Sequence, residues 1–415
     1  MNIQYDRVGL SDSMIVRVKQ TSYFNDFIFI FMFIASIYPF SLTLKGGGVT
    51  ANYVFVFIPV ILSILGIRNL YNNQTIFLSL IILFLIYAAG FVGDITGVTY
   101  SPVRRLLSFI VFIIPYSLCF IRFKPKDLIL FKKSIVLIST YFSLISIMRM
   151  VDYYNLSFSS LKGLIGSQRF GFILILGFFI ALSEEKGLFI KKVLLEKIML
   201  SSIIFMGVFL TFSRSSVVSL LIGLVCYVIL NIKNSKVERK NIFFLIFFVF
   251  ISLLVLNNYL SQIIMFYDHY FFQPLFSGEL TSSLLSAVPG SSEGYRTHVF
   301  RQIFDYLSIH PIFGSKFMGI WMLYDEYHQV GGSTHNQYTD VLLRTGIVGF
   351  SLFMYFIYRI IRSIKVDYGL LSGFIGILIY GLFHETFKLS QGSFIFCMLL
   401  SFSFIKGRFK FWSMS

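Results

Sequence analysis

A histidine, two amides, a phenol and a carboxylate crowd into GGSTHNQYTD at 331–340, directly before the apolar run VLLRTGIVGFSLFMYFIY. An imidazole titrates near pH 6.5 when unperturbed, so His335 is a candidate for taking a proton from a sugar hydroxyl close to neutrality. The same residues also suit a plainer role, since a His-Asn pair ahead of an apolar run can cap a helix. His269, His298, His310 and His328 lie in the same region, and spacing alone does not single out His335. His310-Pro311 reads as a helix stop, and His384 in LFHETFK is placed to line the same cavity.

A hydroxyl is a weak nucleophile. A base beside it helps attack on an anomeric carbon whose leaving group is a diphosphate, and arginine is the side chain whose planar fork of donors best holds phosphate. Arg104, Arg105, Arg149, Arg169, Arg214, Arg296, Arg301 and Arg344 all fall on the outer side or at outer helix ends. A lone arginine at a helix end ordinarily anchors to lipid phosphate. Arg214 is the sharpest exception, because LTFSRSSVVSLL gives it only a short hydroxyl-rich break between two apolar runs. Its guanidinium must lie at the external interface or in a watery cavity. Arg296 and Arg301 sit in EGYRTHVFRQIFDYLSIHPIFG, which reads as a helix with Val299, Phe300, Ile303, Phe304 and Leu307 as its apolar positions. Five residues apart, the two arginines diverge by about 140° if both are helical, and their spacing alone makes no clamp.

The elements that must position these groups are membrane helices. Of the 415 residues 56% are hydrophobic and 13% charged, against about 25% charged in ordinary soluble domains; mean hydropathy is +0.80. About twelve apolar segments approach the roughly 20 residues needed to span a bilayer. They fall near 23–43, 51–67, 75–93, 104–121, 128–149, 168–183, 197–212, 215–232, 241–258, 341–361, 368–387 and 391–406, the sixth and seventh being short. Uninterrupted runs such as IFLSLIILFLIYAAGF exclude the alternation of a barrel, so the expected fold is an all-α polytopic membrane protein. The economical division is one membrane domain over 1–415, containing one large external loop, 259–340, with short helices. A connection of about 80 residues is usually functional.

The net charge of +16 is not a nucleic-acid footprint, because most of the 35 Lys and Arg lie in short loops on one side. This positive-inside bias places both termini in the cytoplasm and the long loop outside. Cys119, Cys226 and Cys397 lie inside apolar runs and imply no disulfide framework. A cleaved signal peptide is not expected. Asp94 stands alone, Asp325-Glu326 reads as a solvated pair, and GGGVT at 46–50 lacks the lysine of a phosphate loop. Neither a metal nor another cofactor is expected.

Together, SRSS between two spans, R-x-x-x-x-R with HPIFG in a long loop, and THNQYTDVLLRTGIVG entering a span resemble the O-antigen polymerase and O-antigen ligase superfamily of bacterial envelope glycosyltransferases. The likeness covers roughly 165–365; the family often has a more glycine-rich turn where this chain has HPIFGSKFMG. It implies a protein of the bacterial inner membrane working at its periplasmic face. The implied reaction is metal-independent, inverting transfer of a glycan from undecaprenyl diphosphate. His335 would be the base, with Arg214 and Arg296 holding the diphosphate. Arg169, Arg301 and Tyr338 follow as second-rank binding residues, and Asn336 with Tyr338 as sugar contacts. Implied partners are lipid-linked oligosaccharide as donor and acceptor, membrane lipid and a chain-length regulator protein. A polymerase passes the growing chain to the next lipid-linked repeat unit, and is preferred on the resemblance of this Phe- and Ile-rich chain. A ligase passes the chain to lipid A core. A flippase for lipid-linked oligosaccharide is the rival of another class, but needs two equivalent bundles and no large external loop.

Overall fold

A computed structural model describes residues 118–119, 121–123, 125–152, 171–184, 188–189, 193–211, 213–233, 292–315, 334–388 and 390–403, with the pair Asn69–Leu70. The expected spans at 23–43, 51–67, 75–93 and 241–258 lie outside the described residues, as does nearly all of 104–121. The architecture is helical; the one strand pairing among described residues joins Asn69–Leu70 to Ile121–Arg122, antiparallel.

Among the described residues eight α-helices follow in chain order: α1 Pro125–Asp152, α2 Gly171–Ser183, α3 Val193–Leu210, α4 Arg214–Lys233, α5 Ser292–Ile309, α6 Gln337–Ile364, α7 Tyr368–Tyr380 and α8 Ser390–Ser403. Four of them, α1, α3, α4 and α6, contain stretches long and apolar enough to cross a membrane. Their outward faces carry Leu137, Leu144, Leu195, Met199, Val225, Ile229, Met354 and Tyr358, all exposed, as lipid contact requires.

The short helices are explained by where they sit. α2 has only 13 residues, and Gly171 to Ala181 are buried on every face. At 1.5 Å per residue it reaches about 20 Å, too little for a bilayer of about 30 Å, and its apolar surround is protein instead. It packs on α1, α3, α4 and α7. Small residues let these backbones approach: a Cβ on Gly177 would meet Ser139 Oγ at 2.1 Å, and Ser139 donates to the Ile173 carbonyl at 3.0 Å.

One end of this bundle is tied by charge. Lys132, in the second turn of α1, is buried and paired with Glu184 at 3.0 Å and Asp367 at 2.7 Å. Asp367 also caps α7 by accepting from Leu370 N–H at 3.0 Å.

The eleventh apolar segment, expected over 368–387, is shorter than its hydropathy suggests. α7 stops at Tyr380, and the chain turns through 381–385 into a 3₁₀ turn at Thr386–Lys388. The Gly381 carbonyl, freed at the helix end, accepts from Gln337 N–H at 2.7 Å.

α6 is broken at Gly346, whose φ of 60° and ψ of −163° are not helical. The break is filled by the turn after α5, the segment HPIFGS at 310–315. Ile347 N–H donates to the Pro311 carbonyl at 2.9 Å, and Ser315 donates to the Leu343 carbonyl from N–H at 2.6 Å and from Oγ at 3.0 Å. Gly314 mirrors Gly346 with φ 59°, and a Cβ on Gly346 would meet the Ile312 carbonyl oxygen at 2.3 Å. The two glycines therefore let two backbones interlock, and α5 is seated on α6 through Val299, Ile303, Leu307 and Leu343. Gly346→Ala adds both a clash and left-handed strain, and is expected to destabilise the protein by about 3 kcal/mol. The melting temperature of the detergent-solubilised protein checks this; an unchanged value would contradict the interlock.

Candidate functional site

The 331–340 segment enters α6 through a cap. Asn336 Oδ1 accepts from Tyr338 N–H at 2.9 Å and Thr339 N–H at 3.2 Å, satisfying the first donors of the helix. The residue before it, His335, is half-buried and has φ 52°. A left-handed backbone is uncommon outside glycine and costs about 1 kcal/mol or more, so its neighbours must hold it.

They are held by the 381–387 turn. On one side of His335, Thr334 donates from both N–H and Oγ1 to Glu385 Oε1, the latter at 2.8 Å. On the other, Gln337 N–H reaches the Gly381 carbonyl and Gln337 Oε1 accepts from Phe387 N–H at 2.6 Å. Thr334 Oγ1 is also 2.9 Å from the Asn336 carbonyl oxygen, closing a small loop around the histidine backbone. His335 is thus clamped at both flanks by one turn from elsewhere in the chain.

The same turn reaches the SRSS motif. His384 Nε2 is 2.7 Å from Ser215 Oγ, and Ser215 Oγ is 2.7 Å from Ser213 Oγ. Ser213 caps α4, its carbonyl accepting from Val217 N–H at 3.2 Å, and Arg214 is the first helical residue between these two serines. The Arg214 backbone and the His335 segment are therefore joined through two adjacent residues, His384 and Glu385. A helix start with its free N–H groups favours an anion beside it.

The other sequence candidates fall as follows. Arg169 lies outside the described residues. Arg296 and Arg301 are both inside α5, so they diverge by about 140°. The Arg296 backbone position shares the helix side of Val299, Ile303 and Leu307, which face α6, whereas Arg301 is exposed on the other. Asn336 spends its side-chain oxygen on the cap, and the Tyr338 hydroxyl donates to the Leu378 carbonyl at 2.8 Å. Both are tied into the structure through these atoms. Arg344, counted with the outward arginines, is buried and pairs through Nε with both Asp340 oxygens, at 3.1 and 3.0 Å. Its charge is offset by a carboxylate one turn earlier in the same helix.

Sequence reasoning missed Glu385 and Gln337. The first left a signal: a carboxylate at the end of an apolar run is costly in lipid and marks either a pairing or a function. Gln337 left none, since its work is done by backbone partners some fifty positions away, Gly381 and Phe387.

Residues 199–354 match the family model described as O-antigen ligase, a stretch that contains Arg214, Arg296, Arg301, His335, Asn336 and Tyr338. Over this stretch the chain is similar to the O-antigen ligase family, in agreement with the resemblance carried by its motifs. No curated protein matches it. The match supports a glycosyltransferase-like function connected with O-antigen or lipopolysaccharide, in a membrane protein. Within the matched segment lie both the Arg214 turn and His335; the 381–387 turn that joins them lies beyond the matched residues.

Proposed function

We propose that the protein is an O-antigen polymerase of the bacterial inner membrane, with both termini cytoplasmic and its site at the periplasmic face. It moves the growing polysaccharide from undecaprenyl diphosphate to the next lipid-linked repeat unit. In this reading His335 takes the proton of the acceptor hydroxyl as its oxygen attacks the anomeric carbon. The carbon–oxygen bond to the diphosphate breaks, and the lipid diphosphate leaves with the electron pair from the opposite face, so the anomeric configuration inverts. Arg214 and Arg296 hold the leaving diphosphate, with Arg169 and Arg301 contributing further along it. Asn336 and Tyr338 contact sugar through the atoms their structural bonds leave over. No metal enters these steps; the arginines and the α4 N-terminus offset the developing charge. A chain-length regulator is a partner.

The observation that carries this reading is the clamped left-handed His335 joined by a single turn to the SRSS segment at the start of α4. Strain held so firmly is characteristic of working sites. Ligase chemistry would use the same parts with lipid A core as acceptor, and the family description favours that second reading.

A strain lacking the gene separates them. Surface lipopolysaccharide carrying a single repeat unit, with long chains restored by the wild-type gene, is expected of a polymerase. Lipid-linked polymer outside the membrane with bare core lipid would establish a ligase. Precursor trapped in the cytoplasm would overturn both and indicate a flippase.

A further inference from the structure

Several serines in these helices bond back onto their own helix. Ser134, Ser143, Ser146 and Ser401 each donate to the carbonyl four residues earlier, at 2.6 to 2.8 Å. Ser213 and Ser215 are bonded differently. Their hydroxyls meet each other, and Ser215 meets an imidazole from a turn 169 positions away. Polar groups that reach across elements in an apolar protein interior fix geometry, because nothing else nearby can satisfy them.

The imidazole itself is fixed. His384 stacks on Tyr380 with ring centroids 4.5 Å apart and planes 28° apart. Its backbone N–H donates to the Tyr380 carbonyl at 3.1 Å, and its backbone carbonyl accepts from Thr386 N–H at 2.9 Å. Tyr380 is 1% exposed, and its hydroxyl lies among those of Ser213, Ser215 and Ser216. Ring and hydroxyl together thus close over the start of α4 from one side. A serine hydroxyl has one proton and two lone pairs, and the ring nitrogen decides which of these Ser215 has left to offer.

We infer that His384 is a positioning residue for the donor half of the site, acting through Ser215 to hold the Ser213–Arg214–Ser215 turn in register with His335. This rests on the proposed glycosyl transfer at Arg214 and His335. The neighbouring Glu385 fixes the base half through Thr334, so one dipeptide sets the spacing between leaving group and base. His384 touches no reacting atom in this assignment. Its removal loosens the grip on the donor, while the acceptor side, held by Glu385, is left in place.

The probes are two forms of the lipid-linked single repeat unit extracted from the deletion strain, one with its acceptor hydroxyl capped so that it serves only as donor and one with its diphosphate removed so that it serves only as acceptor, given to the purified full-length protein in nanodiscs. His384→Ala is expected to raise the donor KM about tenfold, the scale of one lost hydrogen bond to a rigid partner, with acceptor KM unchanged. His384→Gln, which keeps a nitrogen donor near the Nε2 position, is expected to recover most of this. Ser215→Ala is expected to match His384→Ala, and the double variant to be no worse than either, because the two act as one unit. Multiplying effects, or a loss confined to kcat without a change in donor KM, would overturn the assignment. If Arg214→Ala and His335→Ala abolish transfer while the His384 and Ser215 variants keep the wild-type donor KM, the site reading stands and this inference falls. Full transfer by Arg214→Ala and His335→Ala would instead sink the site reading itself.

Discussion

His335→Ala is expected to lower the rate of glycan transfer by about 10²- to 10⁴-fold, the usual share of a general base, with donor binding little changed. The backbone at this position complicates the substitution, because φ 52° suits alanine no better than histidine. Two companions separate chemistry from folding. Glycine accepts a left-handed backbone freely and asparagine tolerates it, so His335→Gly and His335→Asn retain the Thr334 and Gln337 clamps. All three variants lack the imidazole, and all three are expected to lose transfer alike. Stability is expected to stay near wild type in the glycine and asparagine forms. Initial rates with the lipid-linked donor, beside melting curves of the same preparations, make the comparison. Recovery of transfer in the glycine form would assign the role to backbone shape instead of the imidazole.

The second large effect belongs to Arg214. It is the first residue of α4, flanked by hydroxyls bonded to each other and to His384. Charge-assisted bonds to phosphate are worth about 1.5–3 kcal/mol, so Arg214→Ala is expected to weaken donor binding by about 10- to 100-fold. Arg214→Lys keeps the charge without the planar fork and is expected to fall between. Donor titration in nanodiscs reads this directly. Equal binding in the wild-type and alanine forms would remove Arg214 from the diphosphate site.

Much of the helical plan is legible in the sequence because lipid imposes it. Apolar runs at 128–149, 215–232 and 341–361 become α1, α4 and α6 with ends shifted by a few residues, and HPIFG ends α5 as the proline and glycine require. What hydropathy does not carry is how a run is interrupted. The run 368–387 is apolar enough to continue, yet the chain leaves the helix at Tyr380 because Gln337 and Thr334 draw the following turn onto the start of α6. Those are long-range backbone and carboxylate contacts, invisible to any local pattern. Arg344 shows the same limit. Its position beside Asp340 at a helical spacing of four is written in the sequence, but only the structure shows that the two are buried and paired. The candidate segments stand out in the sequence by residue type: a histidine before a span and an arginine between hydroxyls. Their union depends on His384 and Glu385, of which only the histidine drew notice as a residue near the cavity.

One paired measurement goes furthest: single-turnover transfer and donor affinity, taken on the same nanodisc preparations of wild type, His335→Asn and Arg214→Ala, with labelled lipid-linked repeat unit. The expected pattern is crossed, with His335→Asn binding donor normally and transferring almost nothing, and Arg214→Ala losing affinity in proportion to its lost charge-assisted bonds. Normal transfer by His335→Asn, or normal affinity in Arg214→Ala, would contradict a site in which an imidazole activates the acceptor beside an arginine-held diphosphate.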